Sequence, residues 1–166
     1  MTESNTTTSP TTPELRSKVK GVKRDTDTTL GWVERDHPQL ATWSALAVEW
    51  LKGEIRGVEI RLNGLVAFFE RYLVRHALPL DPRVLLARDT VLPSFYQTAC
   101  PDSAAGIRYN NAIHAFLHFV LLREFSEIDE LGLPRISSAF HNPVPWMSRG
   151  GLPRRDESVH SPLAYG

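Results

Sequence analysis

The sequence predicts an all-α fold, a small orthogonal bundle of four main helices set between a disordered N-terminal leader and an extended C-terminal linker. Three observations carry this. Long stretches repeat their apolar residues at three- and four-residue steps, as the buried face of a helix does. Gly53, Pro79, Pro93 and Pro101 separate those stretches at points where helices end. Neither a strand–helix alternation nor a hairpin signal is visible. With 166 residues and 42% hydrophobic content, the chain can bury one core of ordinary domain size, so the expectation is one domain with tails.

Met1 to Pro13 is rich in Thr, Ser and Pro and has no apolar residue after the initiator, so it cannot offset the entropy of ordering. From Leu15 the run "LRSKVKGVKR" places Arg16, Lys18, Lys20, Lys23 and Arg24 together without an acid; residues 1–36 read as a disordered leader with a basic arm. His37-Pro38 and "QLATWSALAVEWLKG" then open the first helix, with Leu40, Trp43, Ala47, Trp50 and Leu51 on one stripe and Gly53 at its end. A longer helix follows from about Ile55 to Ala77. Its buried stripe is Val58, Leu62, Leu65, Phe69, Tyr72 and Leu73, and its opposite face reads Arg56, Ile60, Asn63, Ala67, Arg71.

Asp81-Pro82 is a helix start, an N-cap acid with proline at the first helical position, and "PRVLLAR" is a short third helix. "PSFYQTA" resumes for one or two turns before Pro101. Asp102 or Ser103 then caps a last helix from about Ala104 to Phe125, buried along Tyr109, Ile113, Phe116, Val120 and Leu121. Its other face carries Arg108, Asn111, Ala115 and His118, with almost no carboxylate until Glu124. "GLVAFFERYL" and "AIHAFLHFVL" superpose with Ala67 on Ala115, so small residues are expected on both outer faces, where something bulky can approach. After Ile128, Pro and Gly punctuate the chain and no apolar stripe survives; residues 37–130 read as the helical domain and 131–166 as a linker.

Nineteen basic and nineteen acidic residues cancel, so binding to a polyanion must rest on local patches. The single cysteine, Cys100, cannot form an internal disulfide, which fits a reducing, cytoplasmic compartment. No apolar run approaches the roughly 20 residues that span a bilayer, so no membrane partner is expected. Asn5-Thr6-Thr7 matches a sequon without a secretory signal beside it and carries no weight. No Gly-rich phosphate cradle, nucleophile with its base, or metal cluster shows its spacing. His114 and His118 stand four apart but lack a third ligand, while Asp81, Asp89, Glu127, Asp129 and Glu130 sit at helix ends and in the linker, where capping and solvation explain them. No catalytic residue, metal, cofactor or small-molecule substrate is assigned.

The order of elements, "W..LA.EWL", then "L.AFF.RYL", a short third helix, and "AIHAFLHFVL" followed by Asn142-Pro143, resembles the N-terminal core-binding domain of the tyrosine recombinases, the phage integrase superfamily. The resemblance covers about residues 38 to 145 and rests on order and spacing. It implies one half of a clamp around duplex DNA, with the second and last long helices toward the major groove. On that implication the DNA-facing residues are Arg56, Asn63, Ala67 and Arg71, then Arg108, Asn111, Ala115 and His118. Lys18, Lys20, Lys23 and Arg24 of the arm, and Arg149, Arg154 and Arg155 of the linker, would add sequence-independent affinity. Other recombinase protomers are further candidate partners. The family's catalytic domain supplies an arginine, a lysine, a His-x-x-Arg box and a tyrosine nucleophile; none of the six histidines here is followed three residues later by arginine, and Tyr165, the last tyrosine, has no such neighbourhood. The expectation is a recombinase module without its catalytic domain, unable to cut DNA alone. The alternative reading is a helical protein-interaction adaptor, for which Ile60 and Leu122 on the outer faces speak; an enzyme built on His114 and His118 is the remaining one.

Overall fold

The structure is a computed structural model and describes residues 26–52, 56–101 and 105–148. Helices dominate: α1 (Thr26–Asp36), α2 (Ala41–Leu51), α3 (Val58–Val66, continuing as a π-helix over Ala67–Val74), α4 (Pro82–Leu85), α5 (Phe95–Ala99) and α6 (Gly106–Glu124). One antiparallel pair follows, β1 (Ser126–Ile128) and β2 (Pro134–Ile136). The mostly helical class therefore agrees with the sequence, while the count of four main helices does not describe the whole.

Aromatic rings make the core. Trp43, Phe68, Phe69, Tyr72, Phe95 and Phe116 are all fully buried, and Phe68 lies against Trp43, Phe69, Tyr72 and Phe95 at centroid distances of 5.6, 5.8, 5.6 and 5.8 Å. Two of these rings bring a polar atom inside. Trp43 Nε1 donates to the Leu80 carbonyl at 2.9 Å and Tyr72 Oη donates to that of Pro93 at 2.7 Å, so each ring also ties a loop to the core. Burial pushes the Tyr72 hydroxyl up to about 12, which keeps it a donor.

The helices cross where side chains are smallest. A Cβ on Gly64 would meet the Tyr109 carbonyl oxygen at 3.3 Å and Ala112 Cβ at 3.6 Å, so α3 and α6 touch nearly backbone to backbone. Beyond that crossing α3 widens: Arg75 N donates to Glu70 O and Leu78 N to Leu73 O, each five residues back, the bonding of a π-helix. The wider turn lets Phe68, Phe69, Tyr72 and Leu73 all face inward. The short helices start as their sequences require. Asp81 accepts from Arg83 N at 3.0 Å, and Ser94 Oγ accepts from Gln97 N at 3.3 Å.

Two expectations are corrected. Residues 26–36, read with the leader, form α1, whose Leu30 and Val33 are buried in the common core; a threonine-rich segment with a glycine between Leu30 and Val33 leaves a weak apolar stripe in the sequence. Residues 126–147, read mainly as linker, are packed on the helices. Asp129 Oδ1 accepts from Leu131 N and Leu133 N at 2.8 and 2.9 Å to close the hairpin turn, where Gly132 takes φ +81°. Ser137 N donates to Phe125 O, and Phe140 stacks on Phe125 at 4.3 Å beneath the Arg83 guanidinium. Arg88 N donates to Ala139 O and His141 N to Leu86 O, while Val144 and Met147 are buried. Backbone and polar side-chain hydrogen bonds hold this segment, and those leave no apolar periodicity in the sequence.

Candidate nucleic-acid interface

Helix α6 presents two quite different flanks. Arg108 stands exposed in its first turn, which contains no acidic residue. One turn on, Asn110, Asn111 and His114 hold residues 142–147 as a strap along the helix. Asn110 Nδ2 donates to Pro145 O at 2.8 Å, Asn111 Nδ2 to Met147 O at 3.0 Å, and Met147 N donates to Asn111 Oδ1 at 2.8 Å. His114 Nδ1 meets Val144 O at 2.7 Å, Asn142 Nδ2 donates to His114 O at 2.9 Å, and Val144 N donates to Asn142 Oδ1 at 3.0 Å. Asn111, expected on an open face, thus has both ends of its amide bound to the backbone of Met147, as a neighbouring strand would bind it. The Asn-Pro pair does not lead away from the domain; Asn142 caps the strap.

Ala115 is half-buried and packs against the core, and His118 is half-buried. On α3, Arg56 is exposed just ahead of the first turn and Asn63 is half-buried, whereas Ala67 is only 2% exposed. Ala67 therefore lies inside, not on an outer face: it begins the π-helical stretch, where the 3.6-residue repeat used to place it no longer holds. The close approach that small residues permit is made by Gly64 and Ala112, helix on helix. Ile60 is half-buried and Leu122 is 39% exposed.

Of the described residues expected to face DNA, the exposed ones are the arginines Arg56, Arg71 and Arg108. Arg71 is exposed and its Nη1 lies 3.5 Å from the Ala99 carbonyl; Cys100 Sγ donates to Gly106 O at 3.6 Å. A Cβ on Gly106 would stand 2.6 Å from the Cys100 carbonyl oxygen. The tail of α3, the end of α5 and the start of α6 thus form one corner, with Arg71 and Arg108 beside it. Arg75, absent from the sequence reading, is exposed one turn after Arg71; the Arg71/Arg75 spacing of four was the available signal. Among the described residues Arg56, Arg71, Arg75 and Arg108 form no ion pair, in contrast to Arg123, which bridges Glu49 and Glu124.

Burial pushes the Cys100 thiol up to about 11, against the opposing pull of Arg71, so it is an inert core group. Burial also lowers His114 and His118 below the ordinary imidazole value, and each lies on α6 without a third ligand: among the described residues no group of three His, Cys, Asp or Glu could hold a metal ion. Lys18, Lys20, Lys23 and Arg24, with Arg16, Arg149, Arg154 and Arg155, lie outside the described residues, as do Gly53, Asp102 and Ser103. No helix among the described residues is long and apolar enough to cross a membrane.

No curated protein and no solved structure matches the chain. The family described as "Putative integrase" matches residues 38–166, a span that takes in α2 through the strap, the exposed arginines at the α3–α5–α6 corner and everything after them. The chain belongs to that integrase family.

Proposed function

We propose that this chain is the DNA-binding, core-binding-type module of a tyrosine recombinase, that it grips duplex DNA mainly through backbone phosphates, and that it does not itself cut the strand. The observation that carries the reading is the set of exposed arginines without carboxylate partners, Arg56, Arg71, Arg75 and Arg108, in a chain whose net charge is zero. Solvated faces of such chains ordinarily interleave both signs. Guanidinium groups left open suit phosphate oxygens, which they bind in a fork. Arg108 in the first turn of α6 adds its charge to the positive end of the helix dipole, a combination an anion relieves. Base reading from Asn111 and groove entry at Ala67 drop out, because one is bonded to Met147 and the other is buried.

Anisotropy of a labelled duplex across a salt series tests this. The whole chain should bind with steep salt dependence, and Arg71→Glu with Arg108→Glu should weaken binding and flatten the log–log slope by about 2, near 0.9 per lost phosphate contact. Unchanged binding by the double variant would sink the proposed surface. Incubation with supercoiled DNA should leave it intact; a covalent adduct on Tyr165 would overturn the non-cutting part. The adaptor reading keeps one observation in its favour, the exposed Ile128, Leu131 and Leu133 around the hairpin turn, of which Leu131 is 81% exposed. It becomes the better reading if duplex binding is absent at every salt.

A further inference from the structure

The face of α6 behind the strap forms a cleft of about 550 Å³ with the loop after α4 and the segment that leaves β2, within the roughly 300–1,000 Å³ of ligand clefts. Its charged and titratable lining is Arg88, Arg135, His114, His118 and His141, and no carboxylate lines it. Arg88 Nε donates to Ser138 O at 2.6 Å; that bond fixes the guanidinium and leaves its terminal nitrogens for a ligand. Arg135 forms no ion pair among the described residues although Glu127 is its register partner across the hairpin. The His141 main chain is pinned by Leu86 O, and its Nδ1 is buried without a hydrogen-bond partner, an arrangement that costs the fold unless something binds there.

We propose that this cleft is an oxyanion site that takes a phosphate group, clasped by Arg88 and Arg135 and hydrogen-bonded by His141. Arginine forks match phosphate oxygens, and an imidazole N–H supplies a further donor. Burial and the neighbouring Arg88 charge lower His141, and burial lowers His118; both rings are therefore neutral near pH 7, and an arriving anion should pull them back up. A transition metal fits poorly, since no described group of three ligand residues converges. The site does not depend on the DNA-binding reading. Only the source of its phosphate does, a DNA backbone or a free phosphate.

Imidazole NMR signals of the full chain, followed through an inorganic phosphate titration at constant ionic strength with chloride as the replaced ion, test it. The His118 and His141 signals should move saturably, and the His141 pKa should rise as the phosphate binds. Arg135→Gln, at an exposed position with no side-chain hydrogen bond among the described residues, should weaken phosphate about tenfold, as expected for one charge-assisted contact, whereas Glu127→Gln should tighten it. Equal shifts with chloride alone, or no saturable shift, would overturn the site. A short duplex added to the same samples identifies the source: if it moves the same two signals, the phosphate is the DNA backbone's. If phosphate moves them and the duplex does not, the site stands for a free phosphate. Duplex binding that is lost in Arg71→Glu, Arg108→Glu but untouched in Arg135→Gln would separate the two surfaces, so either proposal can fail alone.

Discussion

Gly106 is the described glycine with least room for a side chain. A Cβ there would stand 2.6 Å from the Cys100 carbonyl oxygen and 3.2 Å from Tyr96 Cε1, and the oxygen is backbone that cannot swing aside. Gly106→Ala should therefore destabilise by about 1–3 kcal/mol through forced displacement of the α5–α6 corner, despite alanine's better helix propensity; a thermal melt no lower than the parent's would contradict this. Gly64→Ala, with 3.3 Å to Tyr109 O, should cost less. Asn111 makes the opposite point. Its amide serves Met147 on both sides, so Asn111→Ala should loosen the strap, read as faster amide exchange at Met147, while leaving the buried rings in place. Truncating Phe116, which touches Trp43, Trp50 and Phe69 at 6.0, 5.2 and 6.5 Å, should instead cost about 3–5 kcal/mol.

Among the elements, α1 carries a consequence for any shortened form. Leu30→Ala should destabilise by about 2–5 kcal/mol, and a chain beginning at Asp36 should melt well below one beginning at Thr26; equal melting temperatures would mean that α1 does not contribute to the core. The long helices were legible because their stripes keep one period: Trp43, Ala47, Trp50, Leu62, Leu65, Ile113, Phe116 and Val120 are buried as their spacing required. Asp81-Pro82 likewise announced its own cap. Three things were hidden. The π-helical stretch breaks the period that assigned Ala67 to the outside, the hairpin strands are three residues each and show no alternation, and the strap is held by polar side chains on α6 whose partners lie 30 to 36 residues away in sequence. Of the proposed surface, arginine content was readable, but which asparagines were already engaged was not.

At the scale of the molecule, the buried His114 and the half-buried His118 and His141 give stability an acid edge. His114, His118 and His141 are all lowered from 6.5, chiefly by burial. The unfolded chain therefore binds protons first, so stability is full above about pH 6.5 and falls as pH drops below it toward the lower folded values. Melting temperature should be flat from about pH 7 to 8 and decline by pH 5, and His114→Gln should shrink that decline; a profile that rises on acidification would contradict the assignment. The strap that His114 helps to hold is fastened at both ends, Asn142 on the His114 carbonyl and Met147 on the Asn111 amide. A segment fastened twice leaves the helix only when both fastenings open together, so it behaves as one latch: amide protons of Val144 and Met147 should exchange at a common rate, set by the joint opening and not by either bond alone.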